Sequence, residues 1–205
     1  MLIPVGTPFN DPGVVALEGE NDISSTVVTK GSVNSNKIGL YVIAYSATNV
    51  DGFDKTISRD VFVYDPAVST DISGKYAVDL DYSHRLQFSN GAIIKYADMQ
   101  GMYGAGDFST YSVSIDQLAP GIYSVSDLFG GYYVEGRAYA ATYAMTGYIS
   151  LNADNTLDVL SSIVAGWGDS LDALEDASYD PETGSIQWGA EYGGSYSFNV
   201  KLNKK

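Results

Sequence analysis

Residues 59–66, RDVFVYDP, close one run of short strands, and a run of different composition begins after them. Val61 and Val63 alternate with Phe62 and Tyr64, the two-residue period of a strand. Pro66 holds the residue before it extended and terminates the segment. Residues 39–49 alternate in the same way, with Tyr41, Ile43, Tyr45 and Ala47 on one side and Val42, Ala44 and Ser46 on the other. Between the two phrases, NVDGFD at 49–54 reads as a tight reversal, because Asp51-Gly52 tolerates the positive φ such a turn needs. Residues 14–17 and 26–29 add two short strands, and a further reversal lies between Val33-Asn34 and Ile38-Gly39. Five short strands within 1–66 predict a small β-sandwich, short of the roughly seven strands of a full one.

The remainder, 67–205, is also strand-rich but has different chemistry. In residues 74–82, Tyr76, Val78, Leu80 and Tyr82 share one face while Lys75, Asp79 and Asp81 take the other. Further strands are predicted at 85–88, 92–96, 110–115, 121–125, 131–134, 138–150, 156–164, 185–188 and 195–202. Asn90-Gly91, Pro120-Gly121, Asp154-Asn155 and PETG at 181–184 punctuate them. One short helix is predicted at 170–177, where Leu171 and Leu174 fall a turn apart. The expected fold is therefore all-β: an immunoglobulin-like β-sandwich over 1–66, then an antiparallel β-sandwich or β-barrel over 67–205.

Composition narrows the function. With 45% hydrophobic and 13% aromatic residues the chain can build real cores. A net charge of −14 argues against general affinity for nucleic acid or anionic membrane. The absence of cysteine removes thiol catalysis and thiolate metal sites. No run approaches the ~20 apolar residues of a membrane helix. The start, MLIPVGTPFNDPG, lacks the basic-then-apolar order of a signal peptide and reads as a point inside a longer polypeptide.

Fourteen of the 17 tyrosines and both tryptophans lie in the second segment, beside glycines in FGGYY (129–133), GWG (166–168) and YGGSY (192–196). An exposed ring beside polar groups can stack on a sugar face, and glycine allows close approach. Trp167, Trp188, Tyr132, Tyr133 and Tyr192 are accordingly the candidate ligand-binding residues, with packing in a sheet as the competing role. Glycosidases need two carboxylates about 5–9 Å apart, and Asp79 with Asp81, Asp169 with Asp172, or Glu191 beside Tyr192 are available. His84, the sole histidine, is expected in a turn at a strand edge. No catalytic residues are assigned. The glycine-rich 101–106 lacks the Lys-Ser/Thr ending of a phosphate loop, so no cofactor is expected. Two acidic clusters, Glu18, Glu20 and Asp22, then Asp51 and Asp54, lack the spacing of a calcium loop, and no metal is expected.

Taken in order, GTPFNDPGV (6–14), GSVN (31–34), GLYVIAYSATN (39–49) and RDVFV (59–63) resemble bacterial immunoglobulin-like domains related to HYR and cadherin-like modules. LAPGIYSVSDLFGGYY (118–133), GYISLN (147–152) and GWGDS (166–170) resemble the all-β domain that follows such a module in Bacteroidetes surface lipoproteins. The resemblance implies a periplasmic or outer-membrane surface location, with attachment only through a lipid anchor on an upstream segment absent here. It assigns no catalytic residues. The expectation is a noncatalytic surface protein that binds an extracellular glycan or a partner protein through the second domain. A structural role in an outer-membrane assembly and a glycoside hydrolase using paired carboxylates are the alternatives.

Overall fold

The Asp51-Gly52 reversal is closed by side chain and backbone together. Asn49 Oδ1 accepts the Phe53 N–H at 2.7 Å, and Gly52 sits at φ +85°. It joins the two long strands of the first unit, β5 (Gly39–Thr48) and β6 (Asp54–Tyr64), paired antiparallel with Tyr41 opposite Val61. A computed structural model describes residues 1–205 as two compact units, Met1–Pro66 and Ala67–Lys205.

The first unit is an immunoglobulin-like sandwich with a thin second layer. Its main sheet runs in the order β1 (Leu2–Pro4), β6, β5, β4 (Val28–Lys30), with β1 parallel to β6. The hairpin of β2 (Leu17–Glu18) and β3 (Asn21–Asp22) is separate from it. The predicted strands at 14–17 and 26–29 thus shorten and shift. Ile3, Val61 and Val63 form a small core, backed by Val5, Phe9, Val33 and Tyr41. The strandless stretch with Pro8 and Pro12 is pinned to the sheet by one polar knot. Tyr45 donates to Asp11 Oδ1 at 2.6 Å, while Arg59 pairs with Asp11 and donates to the Gly13 carbonyl at 2.8 Å.

The second unit is a curled antiparallel sheet close to a barrel. Its order is β13 (Leu157–Val164), β12 (Met145–Leu151), β11 (Ile122–Val125), β10 (Val113–Ala119), β7 (Gly74–Val78), β16 (Tyr196–Lys204), β15 (Ile186–Tyr192), β14 (Ala173–Tyr179). The two end strands meet. Thr156 bridges Ser178, and the Tyr179 N–H donates to the Asn155 carbonyl at 2.9 Å. Curling lets one continuous core fill the interior, with Tyr76, Tyr123, Phe129, Trp188 and Phe198 all buried. The alternation in β16 is as expected: Phe198, Val200 and Leu202 are buried.

Three local expectations fail for physical reasons. Residues 170–177 do not form a helix; most of them belong to β14, where Leu174 pairs with Ala190 across from β15. A bulge between Glu175 and Ser178, with Asp176 at φ +49°, disguises the strand period. The only α-helix is α1 (Met99–Tyr103), ended by Gly104 in the left-handed region. The strand expected through Tyr82 stops at Val78. There the chain turns, Ser83 N–H to the Asp79 carbonyl at 2.8 Å, and shifts from β7 to β8 (His84–Gln87), both alongside β16. Asp79 and Asp81 therefore do not share a strand face. Strand β8 pairs onward with β9 (Ile93–Lys95). Residues 131–134 form no strand; Tyr132–Gly136 is a π-helical turn.

Candidate functional site

The FGGYY segment enters the mouth of the curled sheet, and its glycines are what let it do so. Gly131 takes φ +86°, and a Cβ there would lie 2.7 Å from the Tyr111 ring. The loop is held by Asp127, a buried carboxylate. It accepts from Tyr111 Oη, Phe129 N–H, Gly131 N–H and Met145 N–H at 2.9–3.1 Å. Burial pushes its carboxyl up to about 6 against the opposing pull of those four donors. Phe129 thereby faces the core, whereas Tyr133 stands at the rim, next to Trp167.

Trp167 reaches that rim from the hairpin between β13 and β14. Gly168 N–H donates to the Val164 carbonyl at 2.7 Å, and Val164 bridges Asp169. Gly166 lies so close to Tyr143 that a Cβ would come within 2.7 Å of its ring. The indole is 40% exposed, yet rings surround its base. Tyr133 and Tyr143 both lie 4.8 Å away centroid to centroid, Tyr192 stacks at 6.3 Å and Tyr139 lies at 6.5 Å. Tyr192 is fixed by donating to Asp169 Oδ2 at 2.9 Å. Burial, followed by that carboxylate bond, raises its hydroxyl above the usual range. Burial likewise pushes the Tyr133 hydroxyl up to about 12. These phenols are neutral donors at physiological pH.

The rim continues past Trp167. Arg137 lies over the Tyr139 ring at 5.6 Å and over Tyr103 at 4.3 Å, and both tyrosines are exposed. Indole, phenol and guanidinium thus form one line of flat, partly solvated groups. Such a line can stack on apolar faces of a polar ligand and donate hydrogen bonds to its edges.

Residues 1–63 match the family model described as "Bacterial surface protein, Ig-like domain", and residues 65–204 match a family model for a C-terminal domain. The crystal structure of the lipoprotein BT2262 from Bacteroides thetaiotaomicron is 39% identical, covering 99% of this chain and 94% of that one, with a TM-score of 0.55. The chain belongs to the BT2262 family of Bacteroidetes surface lipoproteins. Its place is the cell surface, at the outer membrane or periplasm. No curated protein matches the chain.

Of the five aromatic candidates, three come together at the rim: Trp167, Tyr133 and Tyr192. The other two are core residues. Trp188 is 2% exposed, with its indole N–H donating to the Leu128 carbonyl at 2.8 Å. Tyr132 is fully buried against Phe198 and Tyr96. Inward alternation along β15 and the depth of the FGGYY loop leave neither ring a face on which a ligand could stack. Residues that pattern reading passed over are Tyr139, Tyr143, Tyr103 and Arg137. The only hint was the crowding of Arg137, Tyr139 and Tyr143 into one short stretch; Tyr103 joins them only through the fold.

Three of the five acidic candidates are held by local donors. Asp172 accepts from Gly194 N–H at 2.7 Å, Asp169 from Tyr192, and Asp79 from Tyr82 N–H at 3.1 Å. His84 lies in a turn contact, its Nδ1 2.8 Å from the Tyr82 carbonyl. In the first unit, Glu18 approaches the Val50 N–H at 3.5 Å, so the two acidic loops adjoin, but no three carboxylates converge. A hollow of about 410 Å³ opens there between the β2–β3 hairpin and the sheet, lined by Val15, Leu17, Ile23, Phe53 and Ile57. Glu18, Asn49, Asp54 and Lys55 also line it.

Proposed function

We propose that this lipoprotein is a noncatalytic binder of an extracellular glycan, and that the binding surface is the aromatic rim of the second unit. One observation carries the reading: Trp167 is 40% exposed while its base is clamped by Tyr133, Tyr143 and Tyr192. A large ring held rigid and left wet loses little conformational entropy when a sugar stacks on it. The family relationship to a surface lipoprotein supports an extracellular ligand. The noncatalytic part of the reading is supported by three of the five candidate carboxylates, Asp79, Asp169 and Asp172, each taken up by a nearby backbone or side-chain donor. The immunoglobulin-like unit then serves as a spacer.

A glycan array probed with the intact chain, Trp167→Ala and Tyr82→Ala tests this. Tyr82 is as exposed as Trp167 but lies elsewhere on the unit, so it controls for nonspecific stacking. Retention of a saccharide subset that only Trp167→Ala loses is the expected result. Absence of saccharide binding, with capture of a surface protein instead, would replace the glycan reading by a protein-partner one.

A further inference from the structure

The second unit contains two arginines, Arg85 and Arg137, and neither has a carboxylate at ion-pair distance, whereas Arg59 in the first unit pairs with Asp11. Arg59–Asp11 is the only ion pair of the chain, so what sets these two arginines apart from the other bases is the set of rings they lie over. Both guanidinium groups lie over tyrosines. Arg85 Cζ is 4.6 Å from the Tyr196 ring centre and 5.5 Å from that of Tyr132, and Arg137 covers Tyr103 and Tyr139. Ring faces only partly compensate a cation withdrawn from water.

Two polar atoms at the same place lack partners. Arg85 Nε is buried without an acceptor, and the hydroxyl of the fully buried Tyr132 has no hydrogen-bond partner. Buried polar groups are almost always satisfied, so these two call for a partner from outside the chain, water in the free protein and a ligand group where one displaces it. Arg137 and Tyr103 lie close enough to the Tyr132 hydroxyl to interact with it, although neither meets it in a hydrogen bond of good geometry. The charges of both arginines also act on the Tyr133 hydroxyl, which places them around one spot. Both arginines are partly exposed, so the guanidinium side of that spot faces solvent, with the buried Tyr132 hydroxyl beneath it. Through Arg137 and Tyr139 it is continuous with the Trp167 rim.

We propose that Arg85, Arg137 and the Tyr132 hydroxyl form an anion subsite beside the aromatic rim, which takes the carboxylate or sulfate group of an acidic saccharide. This rests on the glycan reading above and narrows it. A guanidinium meets a carboxylate or sulfate in a two-pronged hydrogen bond that a neutral hydroxyl cannot reproduce. The acidic surface elsewhere on the chain repels anions, so binding of an anionic sugar would be confined to this spot.

The test is calorimetric titration of the intact chain, Arg137→Gln, Arg137→Lys, Arg85→Gln and Trp167→Ala. The probes are an oligogalacturonate, a κ-carrageenan oligosaccharide, which carries sulfate and no carboxylate, and neutral cellohexaose of similar length, backed by an array of acidic and neutral glycans. The expected result is binding of acidic saccharides, weakened about tenfold or more in Arg137→Gln and Arg85→Gln and less in Arg137→Lys, with unchanged melting curves. Preference for uronate over sulfate, or the reverse, separates the two anion sources. Binding of neutral saccharides that the arginine variants leave intact overturns the subsite but keeps the glycan reading. Acidic binding that only Trp167→Ala weakens also overturns the subsite. No binding to any saccharide overturns the glycan reading, and the subsite with it. If Arg85→Gln does not fold, Arg137→Gln alone decides, because its side chain lies at the surface end of the cluster.

Discussion

Arg59 in the first unit and Arg85 in the second both lie over a tyrosine ring, at 5.0 Å from Tyr45 and 4.6 Å from Tyr196. Arg59 also holds Asp11 and the Gly13 carbonyl, so its donors are used and the proline-rich leader is fastened to the sheet. Arg85 has no such acid, and its Nε faces no acceptor. The same residue pair therefore closes a structure in one unit and leaves one open in the other. The two tryptophans teach the same lesson within the second unit. Trp188 spends its indole N–H on Leu128 and disappears into the core, while Trp167 keeps a free face. Groups that are satisfied and buried hold the fold, and groups that are rigid but unsatisfied are the ones available to a ligand.

The sharpest way to break that distinction is Trp188→Ala. Removing a fully packed indole from the core should cost about 3–5 kcal/mol in denaturant unfolding of the second unit. An effect no larger than that of Trp167→Ala would show that the two rings have equivalent roles.

Next in size is Asp127→Asn, which turns an amide toward N–H donors that now meet a carboxylate. It should destabilise the second unit by about 1–3 kcal/mol. Its pH signature has a definite sign. The folded carboxyl titrates near 6, above its ordinary 3.8, so its ionised form is the disfavoured one. The stability it contributes is fully present below pH 3.8 and is lost as the pH rises through 6. Urea midpoints between pH 4 and 7 should show that decline in the parent chain and a flatter profile in Asp127→Asn.

Binding effects follow. Trp167→Ala should reduce glycan affinity about tenfold or more while moving the unfolding midpoint little. Gly166→Ala should weaken binding by a smaller factor, because the added Cβ meets the Tyr143 ring at 2.7 Å and displaces the hairpin that carries the indole. The smallest effect on binding is expected for Arg59→Ala, which should lower the melting temperature of the first unit and leave glycan affinity unchanged.

Much of the architecture was legible because strand alternation is local. Tyr41, Ile43 and Tyr45 on β5, and Phe198, Val200 and Leu202 on β16, announce their faces within a few residues. The choice of a near-barrel was not legible, since it depends on Thr156 meeting Ser178 across the ends of the sheet. The helix at 170–177 was misread because Leu171 precedes β14, so its spacing from Leu174 crosses a strand boundary, and the bulge after Glu175 hides the alternation that follows. At the site, glycines on both sides of Trp167 set it apart, whereas Trp188 looked available too in sequence and only the structure puts it in the core. The meeting of Arg85 with Tyr132 and Tyr196 was out of reach, because residues distant in sequence are joined only by the curl of the sheet.

The central claim is that ligand binds on the exposed face of Trp167. Acrylamide quenching of tryptophan fluorescence, with and without the saccharides retained on the array, tests it most directly. The account predicts that the quenchable fraction, supplied by the exposed Trp167, falls on saturation and is already absent in Trp167→Phe. Quenching that stays the same at saturating saccharide would contradict it.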